Sequence, residues 1–300
     1  MDAVWNASVS AVQELSEGRS AAHGTAGELL LVEFNQRTDA ASKGSALLRE
    51  KAVREAITLC ADRETIALTG FGGALPAYGF SIPYGTDTSA AAVCSASEAA
   101  ALLESAGYTD TDGDGVRESA AGEKLSFRIL CSDTATAWVR AANLLKDMCA
   151  PAGISLEITV LSGDRALAAA QAGDFDLFLT AVQSYYDAYL SLAPYYWNEG
   201  NGAFWNGAAS PGWNLSGYGS AEFDALYEEL TFASSAERDA MEAELESLVI
   251  ADSAALPLAF AAKNQLCSGA WLNLRADHGE GLFFTPAILR QQLQGMTTGK

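Results

Sequence analysis

A run of closely spaced aspartates carries the clearest metal-binding pattern in the chain. Asp110, Asp112 and Asp114 stand at positions 1, 3 and 5 of the stretch DTDGDGVRE, and a glycine stands at position 6. Carboxylates at this spacing open the EF-hand calcium loop, where several oxygens converge on one hard cation. The glutamate expected at position 12 is replaced by Ala121, and Glu118 at position 9 compensates only in part. Two interpretations follow: a calcium loop, or an Asp/Gly turn that joins a helix to a strand.

A segment rich in aromatic and glycine residues, from residue 185 to residue 232, is the second candidate for chemistry. It holds 13 of the 28 aromatic residues of the chain. Aromatic side chains on loops offer a large contact area at low entropic cost, and they stack on sugars, peptides and heterocycles. The alternative is that these rings fill the core under a long loop, which we expect for half of the set. The set as a whole is predicted to contribute one wall of a ligand site.

Serine, aspartate and glutamate are abundant, but histidine, on which many catalytic sites depend, is scarce. The two histidines, His23 and His278, are far apart in sequence, and neither adjoins a nucleophile motif such as G-x-S-x-G. A site with several histidine ligands cannot be built from two histidines. The sequence therefore predicts a protein that is not an enzyme and needs no cofactor. A carbohydrate-active enzyme with paired carboxylates beside an aromatic platform remains the alternative, because spacing in sequence does not test it.

Composition limits the classes of partner. The chain has 300 residues, 18 Lys and Arg against 38 Asp and Glu, and a formal net charge of −20. We therefore expect no binding to nucleic acid, because affinity for phosphates rests on clustered Lys and Arg. Hydrophobic residues make up 49% and charged residues 19%, which predicts a folded protein with a large core. No run of 18 apolar residues occurs, so no membrane-spanning helix is predicted.

Strand-like and helix-like segments alternate along the chain, which predicts an α/β fold with a parallel or mixed sheet. A long Gly/Pro/Tyr-rich loop is predicted over residues 70–93. Strands are predicted at 28–35, 124–131, 154–161, 176–181 and 256–260. Helices are predicted at 3–17, 45–59, 62–68, 97–105, 135–148, 164–172, 221–230 and 236–250.

An ordered set of short stretches resembles the family 5 extracellular solute-binding proteins of ABC importers, the oligopeptide, dipeptide and nickel type. The stretches are LVEFN at 31–35, AVREAI at 52–57, ADRETI at 61–66, LLESAGYTDTDGDG at 102–115, AGISLE at 152–157, GDFDL at 173–177, SGYGSAEFD at 216–224 and LPL at 256–258. No single stretch is diagnostic, and the resemblance rests on their order. Because the family carries the acidic stretch as a turn, the resemblance favours the turn over the calcium loop.

The resemblance implies one lobe of a two-lobed, clamshell receptor of the type II periplasmic-binding-protein class, with a central mixed sheet flanked by helices. Residues 1–35 would be a remnant of the first lobe with a hinge strand, 36–258 the ligand-closing lobe, and 259–300 the return hinge with a C-terminal segment of the first lobe. The hinge would run through Phe34–Asn35 and Leu258–Phe260. Such receptors are longer than this chain, so most of the first lobe would be missing from it.

The resemblance also implies a ligand site at the loop after the GDFDL strand. In the family this loop carries a tryptophan and an aspartate that pairs with a peptide amino terminus. Val182 replaces the tryptophan, Tyr185 replaces the aspartate, Tyr186 keeps a tyrosine, and Asp187 offers a shifted carboxylate. A tyrosine-lined pocket would bind its ligand by stacking and by hydroxyl hydrogen bonds. The implied ligand-binding residues are Val182, Gln183, Ser184, Tyr185, Tyr186, Asp187, Tyr218 and Asn35.

The function implied by the resemblance is the capture of a peptide or another small organic ligand by closure of the clamshell. The partners would be the missing first lobe, an ABC permease and the ligand, with no nucleic acid. The expected location is extracellular or at the cell surface, as a lipoprotein or a periplasmic protein. A calcium-stabilised structural or adhesion module is the remaining alternative.

Overall fold

The computed structural model describes residues 3–4, 19–82, 94–134, 136–196 and 214–268, and for 3–4, 19–26 and 263–268 only the backbone is described. The predicted helix at 3–17 is wrong at its start, where residues 3–4 form a strand that pairs with a distant segment of the chain. The rest of that predicted helix, part of the 70–93 loop, the aromatic residues at 197–213 and the C-terminal residues 269–300 lie outside the described residues.

Seven strands in the described part of the chain form one mixed sheet, as predicted. Six of them lie in the order β1-β7-β2-β6-β4-β5, and β3 pairs with β7. β4 runs parallel to β5 and β6, whereas β2 runs antiparallel to β6 and β7. The strands are β1 Ala3–Val4, β2 Arg19–Phe34, β3 Leu75–Pro76, β4 Ser126–Ser132, β5 Ser155–Leu161, β6 Leu177–Gln183 and β7 Ala255–Ser268.

Helices flank the sheet at nearly the predicted positions. They are α1 Lys51–Cys60, α2 Arg63–Thr65, α3 Ala96–Ser105, α4 Thr136–Cys149, α5 Gly163–Gln171, α6 Ala188–Ser191, α7 Ala221–Leu230 and α8 Ser235–Ala251. α1 follows a 3₁₀ turn at Ala46–Arg49, and α2 continues as a π turn at Ile66–Gly70. Short 3₁₀ turns also lie at Ala150–Ala152 and Ala193–Tyr195. No helix of the described residues is both long and apolar enough to cross a membrane.

Strand β2 lies between β7 and β6 in the sheet, and both of its faces are buried. Val32 and Phe34 pack into the hydrophobic cluster formed with α1, α3 and α4. Leu29 and Leu31 point to the opposite face and pack with residues of α7 and α8. Successive side chains of a strand alternate between the two faces, so Glu33 falls on the face of Leu29 and Leu31. This placement puts a carboxyl group in an apolar layer.

A buried arginine joins the two sides of the sheet. The guanidinium of Arg54, on α1, donates hydrogen bonds to the carbonyls of Asp252 and Ser253 just past the end of α8, and to those of Leu48 and Arg49. Terminal carbonyls of a helix lack partners within the helix, and an arginine can satisfy several of them at once. Arg54 therefore fixes α8 against α1.

Candidate functional site

The loop between β6 and α6, residues 184–187, is the candidate site and is held from several sides. We call it the β6–α6 loop. The hydroxyl of Ser184 donates to the carbonyl of Phe80 over 2.6 Å. The amide of Ile82 donates to the carbonyl of Tyr185 over 2.7 Å, and the amide of Ser184 donates to the carbonyl of Gly27 over 2.9 Å. These contacts fix the loop backbone before any ligand arrives.

A bulge in β2 lies directly beside this loop. The pairing of β2 with β7 shifts register between Thr25 and Leu29, and Gly27 lies within the shift with a φ of 72°. Only glycine adopts this left-handed conformation without strain. The carbonyl of Gly27 also accepts a hydrogen bond from the side-chain amide of Gln183, and a Cβ on Gly27 would lie 3.0 Å from that nitrogen.

The predicted site residues of this segment differ in their accessibility. Tyr185 is 41% exposed and Gln183 is exposed, whereas Val182 and Tyr186 are half-buried. Tyr186 packs against the α7–α8 side of the core. Ser184 is buried, and its hydroxyl is used to hold the loop. Tyr185 is therefore the aromatic ring that the loop presents to solvent.

The carboxylate of Asp187 is already engaged. Its Oδ1 accepts a hydrogen bond from the amide of Leu190 at the start of α6, and its Oδ2 lies 3.1 Å from Nη2 of Arg238. Arg238 also pairs with Glu242, whose other oxygen accepts a hydrogen bond from the amide of Ala188. A ligand amine at Asp187 would compete with this arginine. Arg238 was not predicted from the sequence, where its only signal is its i, i+4 spacing to Glu242 on an acidic helix.

Asn35 is a structural brace in this structure. It is 1% exposed, and its amide nitrogen donates to the carbonyls of Gly173 and Phe175 over 3.1 and 2.7 Å. Its oxygen accepts hydrogen bonds from the amide of Arg37 and the hydroxyl of Ser42. No donor or acceptor of the side chain remains for a ligand, so we leave Asn35 out of the proposed contacts.

Tyr218 also lies inside the protein. Its ring contacts Tyr195 and Phe223 edge-on, and its hydroxyl donates to Oδ2 of Asp252 over 2.9 Å. Burial is the largest cause that raises the pKa of Tyr218. We leave Tyr218 out of the proposed contacts, because its ring is buried and its hydroxyl group is already hydrogen-bonded.

The aromatic segment divides between core and surface, in line with the expectation for part of the set. Tyr195, Tyr218, Phe223 and Tyr227 are buried. Tyr227 stacks on Tyr189 and on Tyr196, with ring centroids 4.3 and 4.5 Å apart. Tyr189 belongs to α6 and Tyr227 to α7, so the stacked rings pack these two helices together. The remaining aromatic residues of the segment include Trp197, Phe204, Trp205 and Trp213, which lie outside the described residues.

A buried carboxyl group, that of Glu33, lies on β2 opposite the start of β6. Oε1 of Glu33 accepts a hydrogen bond from the hydroxyl of Tyr195 over 3.0 Å, whereas Oε2 has no hydrogen-bond partner. Burial raises the pKa of Glu33 from 4.5 to about 7, against a smaller lowering by the Tyr195 hydrogen bond. This buried carboxyl group was not predicted from the sequence, where its only signal is a glutamate within the apolar run LLLVEF.

The acidic loop at 110–118 brings its carboxylates together. Oxygens of Asp110, Asp112, Asp114 and Glu118 all lie within 4.8 Å of one another, and this group was found among the described residues alone. Lys124 contributes its ammonium group to the same cluster and contacts Asp112 over 2.8 Å. The backbone of this loop forms a turn, and its aspartates accept hydrogen bonds from backbone amides of the loop itself.

The mixed sheet carries helices on both faces, and the β6–α6 loop lies at the carboxyl end of a strand, where α/β sheets commonly bind ligands. The chain matches the sequence model of the bacterial extracellular solute-binding proteins, family 5 (middle), over residues 1–204. The protein therefore belongs to the family 5 solute-binding proteins of ABC importers, as the sequence analysis predicted. No curated protein matches the chain.

Solved structures of this family share the fold at low sequence identity. The oligopeptide-binding protein AppA from Bacillus subtilis, in complex with a nonapeptide, is similar with a TM-score of 0.71 at 17% identity, covering 100% of this chain and 56% of AppA. NikZ from Campylobacter jejuni with Ni(L-His) gives 0.70 at 17% identity, covering 96% of this chain and 57% of NikZ. NikA from Brucella suis with Fe(III)-EDTA gives 0.69 at 17%, covering 90% and 53%. The chain thus spans a little over half the length of these proteins.

Proposed function

We propose that the chain is the ligand-closing lobe of a receptor that captures a peptide or another small organic ligand for an ABC permease. The observation that carries this proposal is the β6–α6 loop, which presents Tyr185 on a backbone held by Gly27, Phe80 and Ile82. A loop that is fixed in advance loses little conformational entropy when a ligand binds. Family membership supports a role in binding rather than in catalysis.

The proposed ligand contacts are Gln183, Tyr185 and Tyr186, with Val182 beside them. Tyrosine rings supply stacking area, and their hydroxyl groups supply hydrogen bonds. The Asp187–Arg238 pair would accept either a ligand amine or a ligand carboxylate at the rim, at the expense of the internal ion pair. Ser184 supports the loop from beneath.

The strand pair β2–β7 supports the proposed division into lobes. Residues 28–34 of β2 pair with β6 inside the lobe, whereas residues 19–25 pair with β7 and have no partner in β6. We propose that residues 36–258 form the closing lobe together with the paired strand residues 28–34, and that the segments before residue 28 and after residue 258 lead into the other lobe. The hinge would include the bulge at Gly27 together with Phe34–Asn35 and Leu258–Phe260. The greater length of the related proteins supports a second lobe.

We further propose that the receptor works outside the cytoplasmic membrane, either as a lipoprotein or in a periplasm. The family description as extracellular supports this location. The net charge of −20 also suits a protein that binds neither nucleic acid nor an anionic membrane surface.

Amide chemical shifts of the ¹⁵N-labelled 300-residue chain would test the proposed site directly. The probes are a mixture of random-sequence nonapeptides, Ni²⁺ with L-histidine, and Fe(III)-EDTA, each added to 5 mM. We expect one class of probe to shift the amides of residues 182–187 in a saturable way. The absence of saturable shifts with all three probes, or shifts centred on another part of the lobe, would count against this site.

Tyr185→Ala is expected to weaken the binding of that probe about tenfold, because an exposed tyrosine in a pre-formed loop is a typical binding hot spot. The melting temperature should change little, because the ring is partly exposed and the loop is held through backbone groups. Phe232→Ala is the control, since Phe232 is an aromatic residue with 88% exposure at the end of α7. Equal affinities of wild type and Tyr185→Ala would remove Tyr185 from the site. Tyr186→Ala should also weaken binding.

A further inference from the structure

We propose that the loop of Asp110, Asp112, Asp114 and Glu118 binds Ca²⁺, and that the ion displaces the ammonium group of Lys124. The site is separate from the β6–α6 loop and does not depend on the proposed receptor function. Its ligand oxygens lie within 4.8 Å of one another. That span is twice a Ca²⁺–oxygen distance of about 2.4 Å, so an ion can lie between two of these oxygens and reach the others after small side-chain movements.

The buried side chain of Glu118 distinguishes this loop from an ordinary acidic turn. Its side chain is only 4% exposed. Oε2 accepts hydrogen bonds from the amide and the hydroxyl of Thr111, over 2.8 and 2.9 Å. Oε1 is buried and accepts no hydrogen bond, although it lies in the cluster and 3.7 Å from Nζ of Lys124. A buried carboxylate oxygen without a hydrogen bond is costly, and a bound cation would satisfy it.

Asp112 and Asp114 each leave one carboxylate oxygen that no backbone amide uses. Oδ1 of Asp112 accepts from the amide of Asp114, and Oδ1 of Asp114 accepts from the amide of Val116. The Oδ2 atoms of both aspartates contact Nζ of Lys124. Asp110 accepts amide hydrogen bonds at both of its oxygens, so it shapes the loop and also adds negative charge at the rim. Oδ2 of Asp112, Oδ2 of Asp114 and Oε1 of Glu118 therefore surround the ammonium group of Lys124 and accept no hydrogen bond from the backbone.

Lys124 marks the position of the cation and competes for it. Lys124 contacts the carboxylates of Asp112, Asp114 and Glu118, so the cluster keeps an excess of negative charge. The side chain of Lys124 is 38% exposed, which lets it turn into solvent when an ion enters. A divalent ion brings twice the charge of the ammonium and accepts more oxygens, including backbone carbonyls and water. We expect the dissociation constant for Ca²⁺ to lie at about 10⁻⁴–10⁻³ M, the range of extracellular calcium modules.

Isothermal titration of the chelator-treated 300-residue chain with CaCl₂ tests the proposal. Wild type should bind one Ca²⁺, and Lys124→Gln should bind it at least tenfold more tightly because the competing charge is gone. Lys43→Gln is the matched control, since Lys43 pairs with Asp174 elsewhere and should leave the affinity unchanged. MgCl₂ should bind more weakly, because Mg²⁺ demands a stricter octahedral geometry.

Several outcomes would overturn the proposal. Wild type that binds no Ca²⁺ up to 10 mM would refute the site. Binding that survives in Asp112→Asn/Asp114→Asn would place the ion elsewhere, and an unchanged affinity in Lys124→Gln would refute the exchange with the ammonium. Circular dichroism checks that each variant is folded. If the double variant does not fold, the comparison of Lys124→Gln with wild type still decides the question.

Discussion

Wild type is expected to lose about 3 kcal/mol of unfolding free energy relative to Glu33→Gln when the pH rises from 4 to 8. Burial raises the pKa of Glu33 from 4.5 to about 7 in the folded protein. One pKa unit corresponds to about 1.4 kcal/mol, so a shift of this size gives roughly 3 kcal/mol. Glutamine has no proton to lose, and its carbonyl oxygen can still accept the hydrogen bond of Tyr195.

The sign of this effect follows from which state holds the proton. The unfolded chain releases the proton of Glu33 near pH 4.5, whereas the folded protein keeps it until about pH 7. Between these values the folded state binds more protons, so rising pH favours unfolding. The stabilisation is complete below pH 4.5 and is lost as the pH rises through 7.

Urea denaturation of both proteins at pH 4, 5.5, 7 and 8 measures the effect as a difference between two curves. The contribution of other titrating groups cancels in this difference. Glu228→Gln is the control, because Glu228 accepts a hydrogen bond from Tyr196 over 2.7 Å at an exposed position. Its curve should run parallel to wild type. A Glu33→Gln curve that is also parallel to wild type would show that folding does not raise the pKa of Glu33.

Asn35→Ala is expected to lower the free energy of unfolding by about 3 kcal/mol, because it strands several buried groups. The carbonyls of Gly173 and Phe175 would lose their donor, and the amide of Arg37 would lose its acceptor. Each buried polar group left without a partner costs about 1–3 kcal/mol. Thermal and urea denaturation report the loss.

Asn143→Ala is the matched control for Asn35→Ala. Asn143 is exposed on α4, and its amide nitrogen donates to the carbonyl of Val139 within the same helix. A change of about 0.5 kcal/mol or less is expected for such a surface position. If Asn35→Ala keeps full stability and instead loses ligand binding, Asn35 is a ligand contact and its proposed structural role is wrong.

The positions of most helices and strands could be predicted from the sequence, because their signals are local. The alternation of residues 154–161 predicted β5, and the apolar face of residues 45–59 predicted α1. The first predicted helix failed at residues 3–4, where pairing with β7 determines the structure. Strand β2 extends well before its predicted start at residue 28, because its earlier residues pair with β7.

The candidate site could be predicted only as a segment. The resemblance to the family located the β6–α6 loop, but the orientation of each side chain depends on packing. Tyr218 has the residue type of a ligand contact and lies in the core. Asp187 has the type of an anchoring carboxylate, but Arg238 comes from a helix about fifty residues away and pairs with it. No pattern within either segment predicts that pair.

By itself, the sequence determined the α/β class, the family and the acidic loop, because periodicity, motif order and carboxylate spacing are properties of contiguous residues. Only the tertiary structure decided which of these groups face one another. It buried Glu33 in an apolar layer, used every polar atom of Asn35 inside the lobe, and pointed Oε1 of Glu118 toward Lys124. Burial and pairing depend on chain segments that are distant in sequence, and these two properties set the charge state and the availability of a side chain.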